Sequence, residues 1–158
     1  FDREAYIASY YKLDDKDAKL AYVPGLFGNP VSGENSAYVR GEEKVDGATY
    51  YDYDVEKAKQ ILDDAGWTVG SDGIREKNGQ KLSIKFLAVK EKDAMDTMIP
   101  MLQKQWGELG VDFKANTMEF NTVISTVGDD SAIGDWDVSY LGNSFTSPED
   151  TGVDYFIQ

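Results

Sequence analysis

The chain has 158 residues, with 16 Lys and Arg against 29 Asp and Glu, so its formal net charge is −13. It contains neither histidine nor cysteine, which excludes a His–Cys zinc site, a thiol nucleophile and any Ser–His–Asp triad. The acidic balance argues against nucleic acid as a partner, because phosphate contacts need clustered Lys and Arg. No apolar run approaches the ~20 residues that span a bilayer.

The length suits one domain, and a chain this size buries roughly 70% of its extended surface. It opens on Phe1 rather than Met, as expected of a chain that is processed or cut from something larger. Asp2 can cap a first helix over 2–12, in which Ala5, Tyr6, Ile7, Tyr10 and Tyr11 recur at helical spacing. The stretch 22–51 has no period and many breakers, including Pro24, Gly28, Pro30 and Gly41. It reads as a long irregular loop.

Asp54 caps the clearest helix, where Val55, Ala58, Ile61, Leu62 and Ala65 share a face and Gly66 ends the run. Asn78-Gly79 then marks a type I′ hairpin turn. Leu82, Ile84 and Phe86 alternate with polar residues, as in a half-buried strand. Residues 91–109 form the longest helical pattern, with Ala94, Met95, Met98, Leu102, Trp106 and Leu109 apolar. Pro100 inside it predicts a kink or a late start. A strand from Val111, a short helix over 120–127 and a strand over 136–141 follow. The order gives an α/β or mixed α+β sheet with covering helices.

Several features bear on chemistry. The doublets Asp63-Asp64, Asp129-Asp130 and Glu149-Asp150 invite comparison with glycosidase carboxylate pairs. Neighbours on a helix or strand point apart, however, and a solvated surface explains them better. The stretch Gly70–Gly79 has calcium-loop residues, but its oxygen alternation breaks at Gly73 and Ile74, as in a tight turn. Trp67 and Trp106 fall at core-facing positions, whereas Trp136 at a strand start is open to either reading. From Gly134 a strand runs into the small polar loop Asn143–Pro148. Ligands collect at the carboxyl ends of such strands.

Five segments in order carry a resemblance. Asp54–Trp67, DVEKAKQILDDAGW, resembles the signature YDPEKAKQLLAEAGW of the family 5 extracellular solute-binding proteins, the oligopeptide- and dipeptide-binding components of ABC importers. Phe1–Ala5 resembles the family's IDREAI helix start, and Gly73–Leu82 its DGIREKNGKKL hairpin. Residues Leu102–Phe113 and Gly134–Val138 resemble its LQADLKKIGIDV passage and its GDFDM strand.

The resemblance implies a fold of the type II periplasmic-binding-protein kind. Residues 1–158 would be a single, C-terminal lobe, with a mixed sheet flanked by helices. The N-terminal lobe, the lipoprotein signal and its cysteine would lie outside this chain. It implies a protein of the periplasm or cell surface that binds a small solute or short peptide, without catalysis or cofactor, and serves a membrane ABC permease. In peptide-binding members a W-x-x-D loop follows the GDFD strand, and its Asp grips the peptide amino terminus. Here Asn143 stands at the Trp position and Thr146 at the Asp position, while Tyr140 stands where some members carry Arg. The amine-binding carboxylate is missing unless Glu149 or Asp150 replaces it. The expected cleft contacts are Tyr140, Asn143, Ser144, Phe145 and Thr146, with Trp136 as an addition and Phe145 able to stack on the solute. Two other readings compete: a carboxylate-based glycoside hydrolase and a calcium-dependent surface module.

Overall fold

A computed structural model describes residues 1–17, 43–44, 46–47 and 51–141. The expected loop over 22–51 falls almost wholly outside the described residues, as do Asn143, Ser144, Phe145, Thr146, Glu149 and Asp150.

Helix α1 (Arg3–Tyr11) starts where the sequence places it. The extended Asp2 accepts the Ala5 N–H at 2.9 Å, and Lys12 ends the helix in a left-handed conformation. Helix α2 (Val55–Asp64) is capped the same way, Asp54 accepting the Lys57 N–H at 2.9 Å. At its end Gly66 takes φ +84° and the Trp67 N–H reaches back to the Leu62 carbonyl at 2.9 Å. That closure needs a left-handed residue, which glycine supplies without a Cβ penalty. The apolar face of α2 is less covered than its spacing predicts. Val55, Ala58 and Leu62 are half-buried, whereas Ile61 is exposed and no residue of the helix is fully buried.

The strands divide between two sheets. β1 (Thr68–Val69), β2 (Arg75–Lys77) and β3 (Gln80–Lys81) form an antiparallel meander. Asn78 and Gly79 both take positive φ between β2 and β3, the geometry of a type I′ turn. β4 (Ser83–Val89), β5 (Asp112–Met118) and β6 (Val138–Tyr140) form a parallel sheet in the order β5-β4-β6. The last strand is shorter than the expected 136–141. Trp136 precedes it in an isolated bridge to Ile133.

Helix α3 (Asp93–Gly107) covers one face of this sheet. Its Met95 and Leu102 are buried against Phe86 and Ala88, with Phe1, Met98, Trp106 and Phe113 around them. The helix starts two residues after the periodic pattern and continues through Pro100, which is exposed. α1 packs on α3, and the Asp2 N–H donates to Gln105 Oε1 at 3.0 Å. Helix α4 (Phe120–Val127) covers the other face, its Val123 fully buried beside a buried Leu87. β4 is therefore central and covered on both sides. Phe86, Leu87 and Ala88 are buried in succession, where alternation predicts every second residue.

One side chain ties the meander to the parallel sheet. Arg75 is 4% exposed. Its Nε donates to the Leu109 carbonyl at 2.7 Å, and its guanidinium binds the Asp63 carboxylate and the Trp67 carbonyl. Its N–H donates to the Gly110 carbonyl at 2.7 Å. Gly110 takes φ +81°, and a Cβ there would stand 2.9 Å from Arg75 Cγ and 3.0 Å from the Gly73 carbonyl oxygen.

Candidate functional site

Parallel pairing brings the carboxyl ends of β4, β5 and β6 to one edge, with Val89 opposite Met118 and Ala88 opposite Tyr140. From that edge the chain after β4 leaves for α3 on one face, and the chain after β5 leaves for α4 on the other. Connections that diverge in this way open a crevice at the strand ends, where ligands bind in open α/β sheets. Lys90, next after β4, and Glu119, next after β5, pair at this edge, with Nζ 2.8 Å from Oε1. The Lys90 N–H also donates to the Met118 carbonyl at 2.9 Å. The bond from Glu119 holds the Lys90 ammonium above its ordinary pKa, and Glu91 adds to this.

Tyr140 ends β6 at this edge and is 41% exposed. Its partner Ala88 belongs to the core under α3. Parallel partners point to the same side, so Tyr140 stands on the α1–α3 side of the sheet. Tyr6 of α1 agrees with this placement. Burial raises its pKa first, and the Tyr140 phenol is near enough to raise it further.

Trp136 lies elsewhere. It lines a cavity of about 450 Å³ under α4, with Lys85, Leu87, Asn116, Ser125 and Asp135. The Lys85 N–H donates to Asp137 Oδ2 at 2.7 Å and its ammonium to the Gly134 carbonyl, which pins the chain before β6 against β4. Among the described candidates, Tyr140 and Trp136 are thus not brought together. Sequence reading misses Tyr6, Lys90 and Glu119. The Tyr6–Tyr10 spacing shows a helical face, but not that this face meets β6.

The acidic features have structural partners. Asp63 is held by Arg75, and Asp129 accepts from the Ser131 N–H and hydroxyl, which lower its pKa. Asp72 pairs with Lys81 and accepts the Ile74 N–H at 3.2 Å; both bonds lower its pKa, Lys81 most. These are the contacts of a tight turn. Among the described residues, no group of three or more acidic side chains is placed to hold a metal ion.

Compared with known proteins, residues 1–156 match the model of the bacterial extracellular solute-binding proteins, family 5 Middle. The oligopeptide-binding protein OppA of Lactococcus lactis subsp. cremoris (strain SK11) is 31% identical over 108 residues, 66% of this chain and 17% of OppA. Among solved structures, AppA from Bacillus subtilis in complex with a nonapeptide is similar at a TM-score of 0.69. The identity is 20%, over 96% of this chain and 27% of AppA. NikA from Brucella suis in complex with Fe(III)-EDTA is similar at a TM-score of 0.60 and 24% identity, over 97% of this chain and 29% of NikA. These likenesses establish the fold as that of the type II periplasmic binding proteins. The chain spans less than a third of the length of each of these relatives.

Proposed function

Because the chain belongs to the family 5 bacterial extracellular solute-binding proteins, we propose that it forms the C-terminal lobe of a two-lobed binding protein. This protein holds a peptide-like solute between its lobes and delivers it to a membrane ABC permease. The supporting observation is the carboxyl edge of the parallel sheet, where β4, β5 and β6 end together and Tyr140 is exposed. An N-terminal lobe supplies the other wall, and hinge closure buries the solute. Tyr140 and the loop residues Asn143, Ser144, Phe145 and Thr146 contact it, and no bond is made or broken. Trp136 enters this reading only through the cavity under α4.

The family is one of extracellular proteins, and among the described residues no helix is long and apolar enough to cross a membrane. The site of action is the periplasm or the cell surface, with a lipoprotein anchor in the latter case.

Thermal shift of the two-lobed parent, with free and N-acetylated peptides, sugars and metal chelates, tests the reading. A ligand at 100 times its Kd stabilises by about 2.7 kcal/mol. N-acetylated peptides are expected to raise Tm, because Thr146 offers no carboxylate to a free amine. Stabilisation by free peptides that acetylation abolishes would overturn the role given to Thr146. Stabilisation by sugars or chelates alone would overturn the peptide-like solute.

A further inference from the structure

The cavity of about 450 Å³ lies on the α4 side of the parallel sheet, the side away from Tyr140. Its floor runs from Lys85 and Asn116 to Met118, the last residue of β5. Its wall is the second half of α4 and the turn over Asp130–Ala132, which brings the chain round to Asp135 and Trp136. The volume falls within the ~300–1,000 Å³ of small-molecule sites.

The lining carries both signs of charge and a ring. Lys85 gives one of its three ammonium donors to the Gly134 carbonyl. Asp129 is oriented by Ser131, whose N–H and hydroxyl donate to Oδ1 at 2.8 and 2.7 Å. Asp135 adds a second carboxylate, Asn116 an amide that both donates and accepts, and the half-buried Trp136 an indole. Ser139 pairs with Leu87 of the cavity floor, so its side chain faces the same way. Its Oγ is buried and has no hydrogen-bond partner among the described residues. A buried hydroxyl is unfavourable until it is bonded.

These groups narrow the class of ligand. Two carboxylates oppose an anion, and the Lys85 ammonium opposes a cation. A wholly apolar ligand would strip water from the charged lining and return nothing. A neutral molecule rich in hydroxyls satisfies both signs, because each hydroxyl donates and accepts. Its less polar face can lie on the Trp136 ring. We propose that this cavity is a binding site distinct from the carboxyl edge, taking a neutral sugar ring that stacks on Trp136 and bonds to Lys85, Asn116, Asp129 and Asp135. The site does not rest on the peptide-binding reading given above.

The test is calorimetric titration of the two-lobed parent with glucose, galactose, mannose, N-acetylglucosamine and cellobiose, with glucosamine and glucuronate as charged counterparts. One neutral sugar is expected to bind, and more tightly than either charged one. Trp136→Ala should weaken it by about tenfold, since a stacked ring is lost. Asn116→Ala changes an exposed strand residue, which keeps the test valid if the tryptophan variant fails to fold, and should weaken the sugar about threefold. Saturating tetra-alanine, free or N-acetylated, should leave the sugar's affinity unchanged. The site is overturned if no neutral sugar binds the parent, as when the rest of the chain covers the cavity, or if a charged counterpart binds better. It is equally overturned if both variants bind the sugar as the parent does, or if sugar and peptide exclude each other, which would put the sugar in the cleft. Sugar binding that both variants weaken, in a parent that binds no peptide, would uphold the site and overturn the peptide-binding reading alone.

Discussion

The joint around Arg75 and the carboxyl edge around Tyr140 are built on opposite plans. At the joint, one buried guanidinium satisfies a carboxylate of α2 and two carbonyls, one just after α2 and one just after α3, and Gly110 leaves no room for another carbon. At the edge, the Lys90–Glu119 pair and Tyr140 are exposed. A buried charge is tolerated only when its hydrogen bonds are complete. An exposed surface costs little and leaves donors and rings available. The joint fixes how the meander sits on the parallel sheet, and the edge is left to meet something else.

Substitutions can break this contrast from either side. The largest effect is expected from Arg75→Ala, which strands the Leu109 and Trp67 carbonyls and frees Asp63. Losing several charge-assisted bonds at a buried position should cost about 3 kcal/mol. For a chain of this length that lowers Tm by roughly 6–12 °C, measurable by calorimetry. Gly110→Ala should come next, at about 2 kcal/mol. The added Cβ meets backbone as well as Arg75, and an L-residue at φ +81° is strained. A Tm within a degree or so of the unaltered protein would show the joint to be looser than its distances imply.

The smallest effect is expected at the edge, from Glu119→Gln. At neutral pH it should leave Tm nearly unchanged, because exposed ion pairs contribute little. Its trace lies at alkaline pH. The folded-state pKa of Lys90 is raised, so the pair's stabilisation is full below the unfolded lysine value of about 10.4. It is lost as pH rises through the higher folded value. The unaltered protein should therefore lose slightly more stability than the variant across that range, as read from parallel pH titrations of Tm. Identical alkaline limbs would mean that the pair is not formed in solution.

Most local elements are legible in the sequence because their causes are local. Asp2 and Asp54 cap α1 and α2 through bonds to residues three positions on, and Gly66 and Asn78-Gly79 hold left-handed conformations set by a few neighbouring atoms. The 120–127 helix follows from its own spacing. The family resemblance is legible for the same reason, since its motifs are contiguous.

What depends on chain segments far apart was decided only by the tertiary structure. Arg75 reads as one more polar residue in a hairpin, and only the approach of Leu109 and Asp63 makes it the buried joint. Phe86, Leu87 and Ala88 are all buried because α3 and α4 cover both faces of β4, which alternation within one strand cannot reveal. Trp136 and Tyr140 lie four residues apart yet serve different surfaces. Trp136 precedes β6 and lines the cavity under α4, whereas the register with Ala88 turns Tyr140 toward α1. The sequence by itself determined the elements and the family, because short-range sterics and hydrogen bonds set them. Which side chains meet at the edge was left to strand pairing and helix placement, which join residues up to more than a hundred positions apart.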